Sequence, residues 1–199
     1  MSKNTTKGRK RISKSGLRVY TRKHFSSNDG MLTTVWGPSM WHVLHTMSFN
    51  YPVKPSCNDK QKYREFVLNL VNVLPCGKCR ENLHKNFAKL PLRTSDMKSR
   101  DTFSRYMYRL HELINRMLGK KSGLSYQDVR ERYEHFRARC ATPASPNINT
   151  VVGPLEKGCT EPLVGEKSKC VLHIVPQTRK CETFRMDKRC IKRRSNKNQ

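Results

Sequence analysis

Acidic residues are scarce in this sequence. Of its 199 residues, 15 are Asp or Glu and 41 are Lys or Arg, which gives a formal net charge of +26. No run of eighteen apolar residues exists, so we expect no membrane-spanning helix. The first residues also lack the apolar segment of a secretory signal. We therefore expect an intracellular protein in which structural disulfides cannot be assumed for the eight cysteines.

The positive charge is concentrated at the beginning of the chain. Residues 1–24 contain nine Lys or Arg and no acidic residue. Such an arm fits a nucleic-acid or nuclear-import patch, or a solubilising tail that attracts polyanions non-specifically. The absence of interleaved aromatic residues favours the second interpretation. We predict a basic disordered arm over 1–35, a folded domain over 36–140, and a linker with a weakly ordered, cysteine-containing tail over 141–199.

Apolar residues recur at helical spacing through the central part of the chain, which predicts an all-α domain of four helices and a short fifth. In chain order, the predicted helices run approximately from Pro38 to Pro52, from Asp59 to Val73, from Cys76 to Pro91, from Ser99 to Gly119 and from Ser125 to Cys140. The tail contains one strand-like run, Val171–Val175.

The most informative motif is a pair of cysteines, Cys76 and Cys79, at the beginning of the third helical pattern. Leu83, Phe87 and Leu90 follow at steps of three and four, so both sulfurs share a face with an apolar stripe. This spacing brings the two Cα atoms within disulfide distance, and a helix N-terminus stabilises a thiolate. Spacing alone fits a redox-active dithiol, half of a zinc site or a structural pair.

Polar side chains interrupt the apolar faces of the first and fourth helices. Trp41 and His45 are four residues apart, and so are His111 and Asn115, so each pair projects from one side of its helix. Singly, each His or Asn fits a core side chain that is satisfied by a backbone group. Together, around a buried dithiol, they indicate a site for a flat ligand with polar edges.

Four stretches carry these motifs in order: Trp36–Thr46, Tyr51–Pro52, Leu74–Cys79 and Leu110–Lys120. Together they resemble the Erv/ALR family of FAD-linked sulfhydryl oxidases, and most of all the members encoded by large DNA viruses. The resemblance covers roughly residues 36–140. It implies a four-helix bundle plus a short fifth helix, usually a homodimer, that holds FAD beside the dithiol.

The resemblance also implies roles for individual residues. Cys76 and Cys79 would be the catalytic pair, with no metal. The cofactor-binding residues would be Trp41, His45, Tyr51, His111, Asn115, Lys120 and Tyr133. Glu112 replaces an Asn of the family motif and Pro38 replaces a frequent Arg. Tyr108 stands where some relatives have a cysteine that pairs with the fifth helix, so we expect that disulfide to be absent.

The implied activity is the introduction of disulfide bonds into thiol-containing proteins. Electrons would pass from a substrate dithiol through the cysteine pair to FAD and then to O₂, giving H₂O₂. For a viral member, the host cytoplasm or the virion is the expected location. The alternative from another class is a zinc-stabilised, basic nucleic-acid-binding protein that uses the same cysteine pair together with tail cysteines.

The tail contains four widely spaced cysteines: Cys159, Cys170, Cys181 and Cys190. Their spacing is too wide for a zinc knuckle. We interpret them as a possible electron shuttle or as structural disulfides, and incidental thiols are an equally acceptable interpretation. Nothing in the sequence assigns a role to Cys57 or Cys140.

Overall fold

The computed structural model describes residues 20–139, 159, 161–176, 178–179, 181 and 185–191. The chain divides into two compact units, residues 1–30 and 31–199. Within the first unit, the described residues form one short helix, α1 (Arg22–Phe25), which buries no side chain. Residues 1–19 of the predicted basic arm lie outside the described residues.

Helices form most of the described part of the second unit. They are α2 (Thr33–Asn50), α3 (Cys57–Val73), α4 (Gly77–Lys89), α5 (Arg100–Met117) and α6 (Tyr126–Glu134). α2 packs against α5 and α6, and α3 packs against α4, which also contacts α5. Four long helices and a short fifth confirm the predicted all-α fold. Among the described residues, no helix has the length and apolar character needed to cross a bilayer.

Serine side chains determine where three of these helices begin. Ser56, Ser99 and Ser125 each accept a hydrogen bond from the backbone N–H three residues later. At α6, the Asp128 carboxylate also accepts a hydrogen bond from the Ser125 amide at 2.8 Å. This reciprocal pair is a capping box, which satisfies N–H groups that a helix leaves free at its start. The sequence predicted the beginnings of α5 and α6 from these local signals, and both are confirmed.

α2 begins at Thr33, so the predicted start at Pro38 or Ser39 is wrong. A proline inside a helix removes one backbone hydrogen bond and normally marks a helix start or a kink. Here the extra turn is held by contacts from outside the helix. The Met31 amide donates to the Pro75 carbonyl at 2.8 Å, and the Trp36 indole N–H donates to the Met31 carbonyl at 3.1 Å.

The core between the helices is apolar, with tyrosines whose hydroxyl groups satisfy backbone carbonyls. Its apolar residues include Leu44, Val67, Leu70, Leu74, Leu83, Leu92, Met97, Phe103, Met107 and Leu110. The hydroxyl of Tyr51 donates to the Met97 carbonyl and that of Tyr106 to the Leu90 carbonyl, each at 3.0 Å. Both tyrosines therefore bury a polar atom without leaving it unpaired.

The C-terminal end of α2 is neutralised by two arginines. Arg137 donates to the Phe49 carbonyl and forms an ion pair with Glu134 at 2.9 Å. Arg100 donates to the Tyr51 carbonyl at 2.6 Å. Carbonyl groups at a helix C-terminus have no partner inside the helix and carry partial negative charge, so these guanidinium groups stabilise α2 where it ends.

The chain after α6 forms a small antiparallel pair, β1 (Ala138–Arg139) with β2 (Glu161–Pro162). α6 ends at Glu134, so the predicted end near Cys140 is wrong. The predicted strand Val171–Val175 is also wrong, because these residues have no regular secondary structure. Val171, Leu172 and Ile174 are 61–69% exposed, so this apolar run buries too little surface to be held as a strand.

Replacing Tyr51 with phenylalanine should destabilise the protein, because it leaves the Met97 carbonyl without its donor where Tyr51 is 0% exposed. We expect the free energy of unfolding to fall by about 1–3 kcal/mol, measured by urea unfolding with circular dichroism detection. Tyr20→Phe, at a side chain that is 80% exposed, is the matched control and should leave stability unchanged. Equal stability of Tyr51→Phe and wild type would contradict this account of the core.

Candidate functional site

The two cysteines of the motif form a disulfide at the beginning of α4, with their Cα atoms 5.2 Å apart. Cys76 is the N-cap residue, and the Cys79 amide donates to its sulfur at 3.2 Å. This sulfur therefore receives one of the N–H groups that the helix leaves free at its start. Both side chains are half-buried, so the disulfide is supported by the fold and still accessible to a thiol.

The hydroxyl of Thr33 lies beside the disulfide, 3.5 Å from the Sγ atom of Cys79 and 3.9 Å from that of Cys76. Disulfide sulfurs carry no hydrogen, so the hydroxyl is the donor. Sequence reasoning missed Thr33, because Pro38 placed the predicted helix start after it. No local signal in the sequence connects this threonine with cysteines more than forty residues away.

The two basic residues of the motif, Lys78 and Arg80, each have a partner within the protein. Lys78 pairs with Glu81 at 3.2 Å, and both side chains are exposed. Arg80 donates to the Leu74 carbonyl, which ties the start of α4 to the end of α3. The positive charge expected beside the dithiol is present, but Glu81 offsets part of it and solvent screens it.

A second group of predicted site residues meets where α2 packs against α5. Trp41 stacks on His111, with ring centroids 3.9 Å apart and planes inclined by 6°. His45 Nε2 and His111 Nδ1 are 3.0 Å apart, within hydrogen-bond distance. The Tyr133 ring lies 5.3 Å from that of His45, and its hydroxyl is 3.3 Å from His42 Nδ1. Sequence reasoning had not included His42. We call this group the histidine cluster.

Burial makes both central histidines weak bases. His45 is 3% exposed, and desolvation, helped by the nearby His111 and His42, lowers its pKa to about 3. Desolvation likewise lowers the pKa of His111 to about 4, although Glu112 opposes the shift. Both rings are therefore neutral at pH 7. Within the described part of the chain, the buried Nδ1 of His45 has no hydrogen-bond partner.

The other three predicted cofactor-binding residues have different surroundings. Tyr51 lies in the core, with its ring centroid 4.9 Å from that of Phe103. The Asn115 side-chain amide donates to the Glu112 carboxylate at 3.0 Å, so the Glu that departs from the family motif orients this amide. Lys120 is exposed after the end of α5, and its backbone amide donates to the Asn115 carbonyl at 2.8 Å.

The cysteines outside the motif are in two oxidation states. Cys57, Cys170, Cys181 and Cys190 are free thiols, whereas Cys159 is disulfide-bonded. Cys140 lies outside the described residues. Where the structure is described, no group of three or more potential ligands could hold a metal ion, so the zinc interpretation gains no support there.

Comparison with known proteins identifies the family. The Erv1/Alr family model matches residues 38–134. The "Probable FAD-linked sulfhydryl oxidase" of Acanthamoeba polyphaga mimivirus is 34% identical over 99 residues, which are 50% of this chain and 68% of that protein. The chain belongs to the Erv1/Alr family.

Other members of the Erv1/Alr family match the same half of the chain. The FAD-linked sulfhydryl oxidase of African swine fever virus is 27% identical over 99 residues, which are 50% of this chain and 80% of that protein. The crystal structure of the yeast Erv1 core aligns with a TM-score of 0.47 and 22% identity, covering 61% of this chain and 95% of that chain. The resemblance predicted from the sequence motifs is confirmed by the family match.

The residues of this Erv1/Alr chain fit a flavin dinucleotide. α2 connects Thr33, beside the sulfurs, with Trp41 and His45, which lie about 12 and 18 Å further along the helix axis at 1.5 Å per residue. Such a distance suits an elongated ligand with flat ring systems at both ends. Trp41 and Tyr133 supply aromatic faces, and the unpartnered Nδ1 of His45 supplies a polar atom for its edge.

The depressed histidine pKa values predict a loss of stability in mild acid. In the unfolded chain, histidine takes up a proton near pH 6.5, whereas His45 and His111 in the folded chain do so only near pH 3 and 4. The unfolded state therefore binds more protons below pH 6.5, so stability that is complete above this pH falls progressively below it. We expect a slope on the order of 1 kcal/mol per pH unit in the free energy of unfolding.

His45→Gln should reduce this slope when urea unfolding is measured between about pH 7.5 and 5, a range above the titration of most carboxylates. His84→Gln, at an exposed position on α4, is the matched control and should keep the wild-type slope. An identical slope in His45→Gln and wild type would show that the buried imidazole is not the group responsible.

Proposed function

We propose that this chain is a flavin-linked thiol oxidase that forms disulfide bonds in thiol-containing proteins and transfers the electrons to O₂. The observation that carries the proposal is the accessible disulfide at the start of α4, which α2 connects with a buried cluster of aromatic and histidine rings. Membership of the Erv1/Alr family, in which the matching relatives are named FAD-linked sulfhydryl oxidases, supports it.

Cys76 is the sulfur that the substrate attacks, because Cys79 packs against the hydrophobic core. A substrate thiolate bonds to Cys76 Sγ, the Cys76–Cys79 bond breaks, and Cys79 leaves as a thiolate. The second substrate thiolate then attacks the substrate sulfur of this mixed disulfide and releases Cys76. The substrate has lost two electrons and two protons, and the cysteine pair with its surroundings has gained them.

FAD, when bound, accepts these two electrons and transfers them to O₂, which gives H₂O₂. We propose that the residues holding it are Trp41, His45, Tyr51, His111, Asn115, Lys120 and Tyr133. The exposed ammonium group of Lys120 suits a phosphate, and the aromatic rings suit the flat parts of the cofactor. Because His45 and His111 are neutral at pH 7, they orient a ligand without adding charge.

We further propose a homodimer that acts in the host cytoplasm or the virion. Exposed apolar side chains on α2 and α3 support self-association: Val43 is 47% exposed, Phe66 42% and Val73 61%. The viral sources of the matching relatives support the location. The net charge of +26 supports non-specific binding of polyanions through the basic tails.

Cys79→Ser should reduce oxygen consumption with dithiothreitol by roughly two orders of magnitude or more, because one sulfur cannot form the disulfide that the substrate attacks. Flavin absorbance of the purified variant should remain, since the histidine cluster is intact. An oxygen electrode and a visible spectrum measure the two quantities.

The matched control is Cys57→Ser, which removes an exposed free thiol at the beginning of α3 and should leave oxygen consumption unchanged. Persistent activity in Cys79→Ser would contradict the role assigned to the pair. A wild-type protein that is purified without flavin and binds none on addition would contradict the proposed function as a whole.

We propose that the tail cysteines Cys159, Cys170, Cys181 and Cys190 help to transfer electrons from protein substrates. The free thiols at positions 170, 181 and 190, all accessible or partly accessible, support this. Replacing these three with serine should spare dithiothreitol oxidation but slow oxidation of a reduced protein roughly tenfold, since a tethered thiol acts at high effective concentration. Equal rates of protein oxidation in the variant and in wild type would exclude the shuttle.

A further inference from the structure

We infer that Thr33 is a positioning residue of the dithiol, whose hydroxyl stabilises Cys79 as the thiolate that leaves when a substrate attacks Cys76. The direction of attack rests on the proposed function. The hydrogen bond between Thr33 and Cys79 does not, and it can be measured in the absence of any turnover.

Each sulfur of the pair has its own hydrogen-bond donor. Cys76 Sγ receives the backbone N–H of Cys79 at 3.2 Å, from the first turn of α4. Cys79 Sγ is 3.5 Å from the Thr33 hydroxyl, which is closer than the 3.9 Å between that hydroxyl and Cys76 Sγ. When the disulfide opens, the donor nearest the departing sulfur is therefore the threonine hydroxyl.

Thr33 is exposed, and its position beside the sulfurs follows from the segment that carries it. Its methyl group faces the Cα of Gly37, 3.5 Å from where a Cβ on that glycine would lie, and Gly37 is buried. With the methyl group directed along α2, the hydroxyl on the same Cβ is left to face the sulfurs. The hydrogen bonds from Met31 to Pro75 and from Trp36 to Met31 hold this turn of α2 against the cysteine segment.

The charged side chains near the cysteine pair are bound to other groups, so none of them takes the place of the Thr33 hydroxyl beside Cys79. On α4, Lys78 is paired with the exposed Glu81, and Arg80 is bound to the Leu74 carbonyl. The first turn of α2 contains no acidic residue that would repel a thiolate. Stabilising the leaving thiolate speeds thiol–disulfide exchange, so the hydroxyl acts on the step in which the substrate is captured.

Alkylation of the lone Cys79 thiol tests the inference. In the full chain carrying Cys76→Ser, the rate with iodoacetamide near neutral pH reports the thiolate fraction, and peptide mass spectrometry separates Cys79 from the other thiols. Adding Thr33→Val, which keeps the methyl group and replaces the hydroxyl with a second methyl, should slow this rate roughly three- to tenfold. Thr33→Ser should keep the rate near that of the parent.

Two controls separate this role from a general disturbance. Thr34→Val, at the exposed neighbouring threonine, should leave the Cys79 rate unchanged. In a Cys79→Ser chain, Thr33→Val should change Cys76 alkylation less than about twofold, because Cys76 keeps its environment at the N-terminus of α4.

In the otherwise wild-type protein, Thr33→Val should also shift the anaerobic equilibrium with glutathione towards the disulfide, because the thiolate loses a stronger hydrogen bond than the disulfide does. The expected shift is roughly three- to tenfold, and tenfold corresponds to about 30 mV. Equal Cys79 alkylation rates in Thr33→Val and Thr33→Ser would overturn the inference. A difference between them in a chain that lacks oxidase activity would uphold the inference and overturn only the proposed function.

Discussion

The contact between α2 and α5, fixed by the hydrogen bond between His45 and His111, is the interaction on which the rest of the structure depends. His45 lies in the second half of α2, so the helix extends from this contact in both directions. Towards the N-terminus, α2 carries Thr33 to the sulfurs. Towards the C-terminus, it carries the Phe49 carbonyl to the guanidinium group of Arg137. The dithiol end and the arginine end of α2 thus lie on opposite sides of this contact.

The domain separates two kinds of chemistry by their access to water. The cysteine pair is half-buried, so it can exchange with thiols in solution, and the Cys79 amide donates to the Cys76 sulfur. The two histidines are desolvated and remain uncharged, because the hydration that a charged imidazole would lose there outweighs the attraction of Glu112 for His111. The disulfide is therefore accessible to thiols in solution, whereas the imidazole of His45 is closed to water.

Local signals in the sequence accounted for much of this arrangement. Helix starts were predicted near Ser99 and Ser125, and both are confirmed. The cysteine spacing allowed a disulfide at the start of α4, although spacing alone also fitted half of a zinc site. The four-residue spacing of Trp41 and His45, and of His111 and Asn115, predicted which face of each helix carries the site. His45 and His111 do meet in the histidine cluster. Each of these features depends on residues within one or two turns of each other, where helical periodicity is informative.

The features that sequence reasoning missed depend on partners distant in the chain. The first turn of α2 exists because Met31 binds Pro75, more than forty residues later, and that turn is what brings Thr33 to the sulfurs. The pairing of β1 with β2 joins residues separated by more than twenty positions. The hydrogen bond from Tyr51 to the Met97 carbonyl joins residues 46 positions apart. Helical periodicity in the sequence does not indicate contacts between residues so far apart in the chain.

Pro38 has a geometric consequence for the whole domain. Its ring nitrogen has no hydrogen to give to the Thr34 carbonyl, and its ring crowds that carbonyl, so α2 can change direction at this level. The segment before the proline brings Thr33 to the sulfur of Cys79, while the longer segment after it packs against α5. Pro38 therefore lies between the part of α2 that reaches the disulfide and the part that builds the contact with α5.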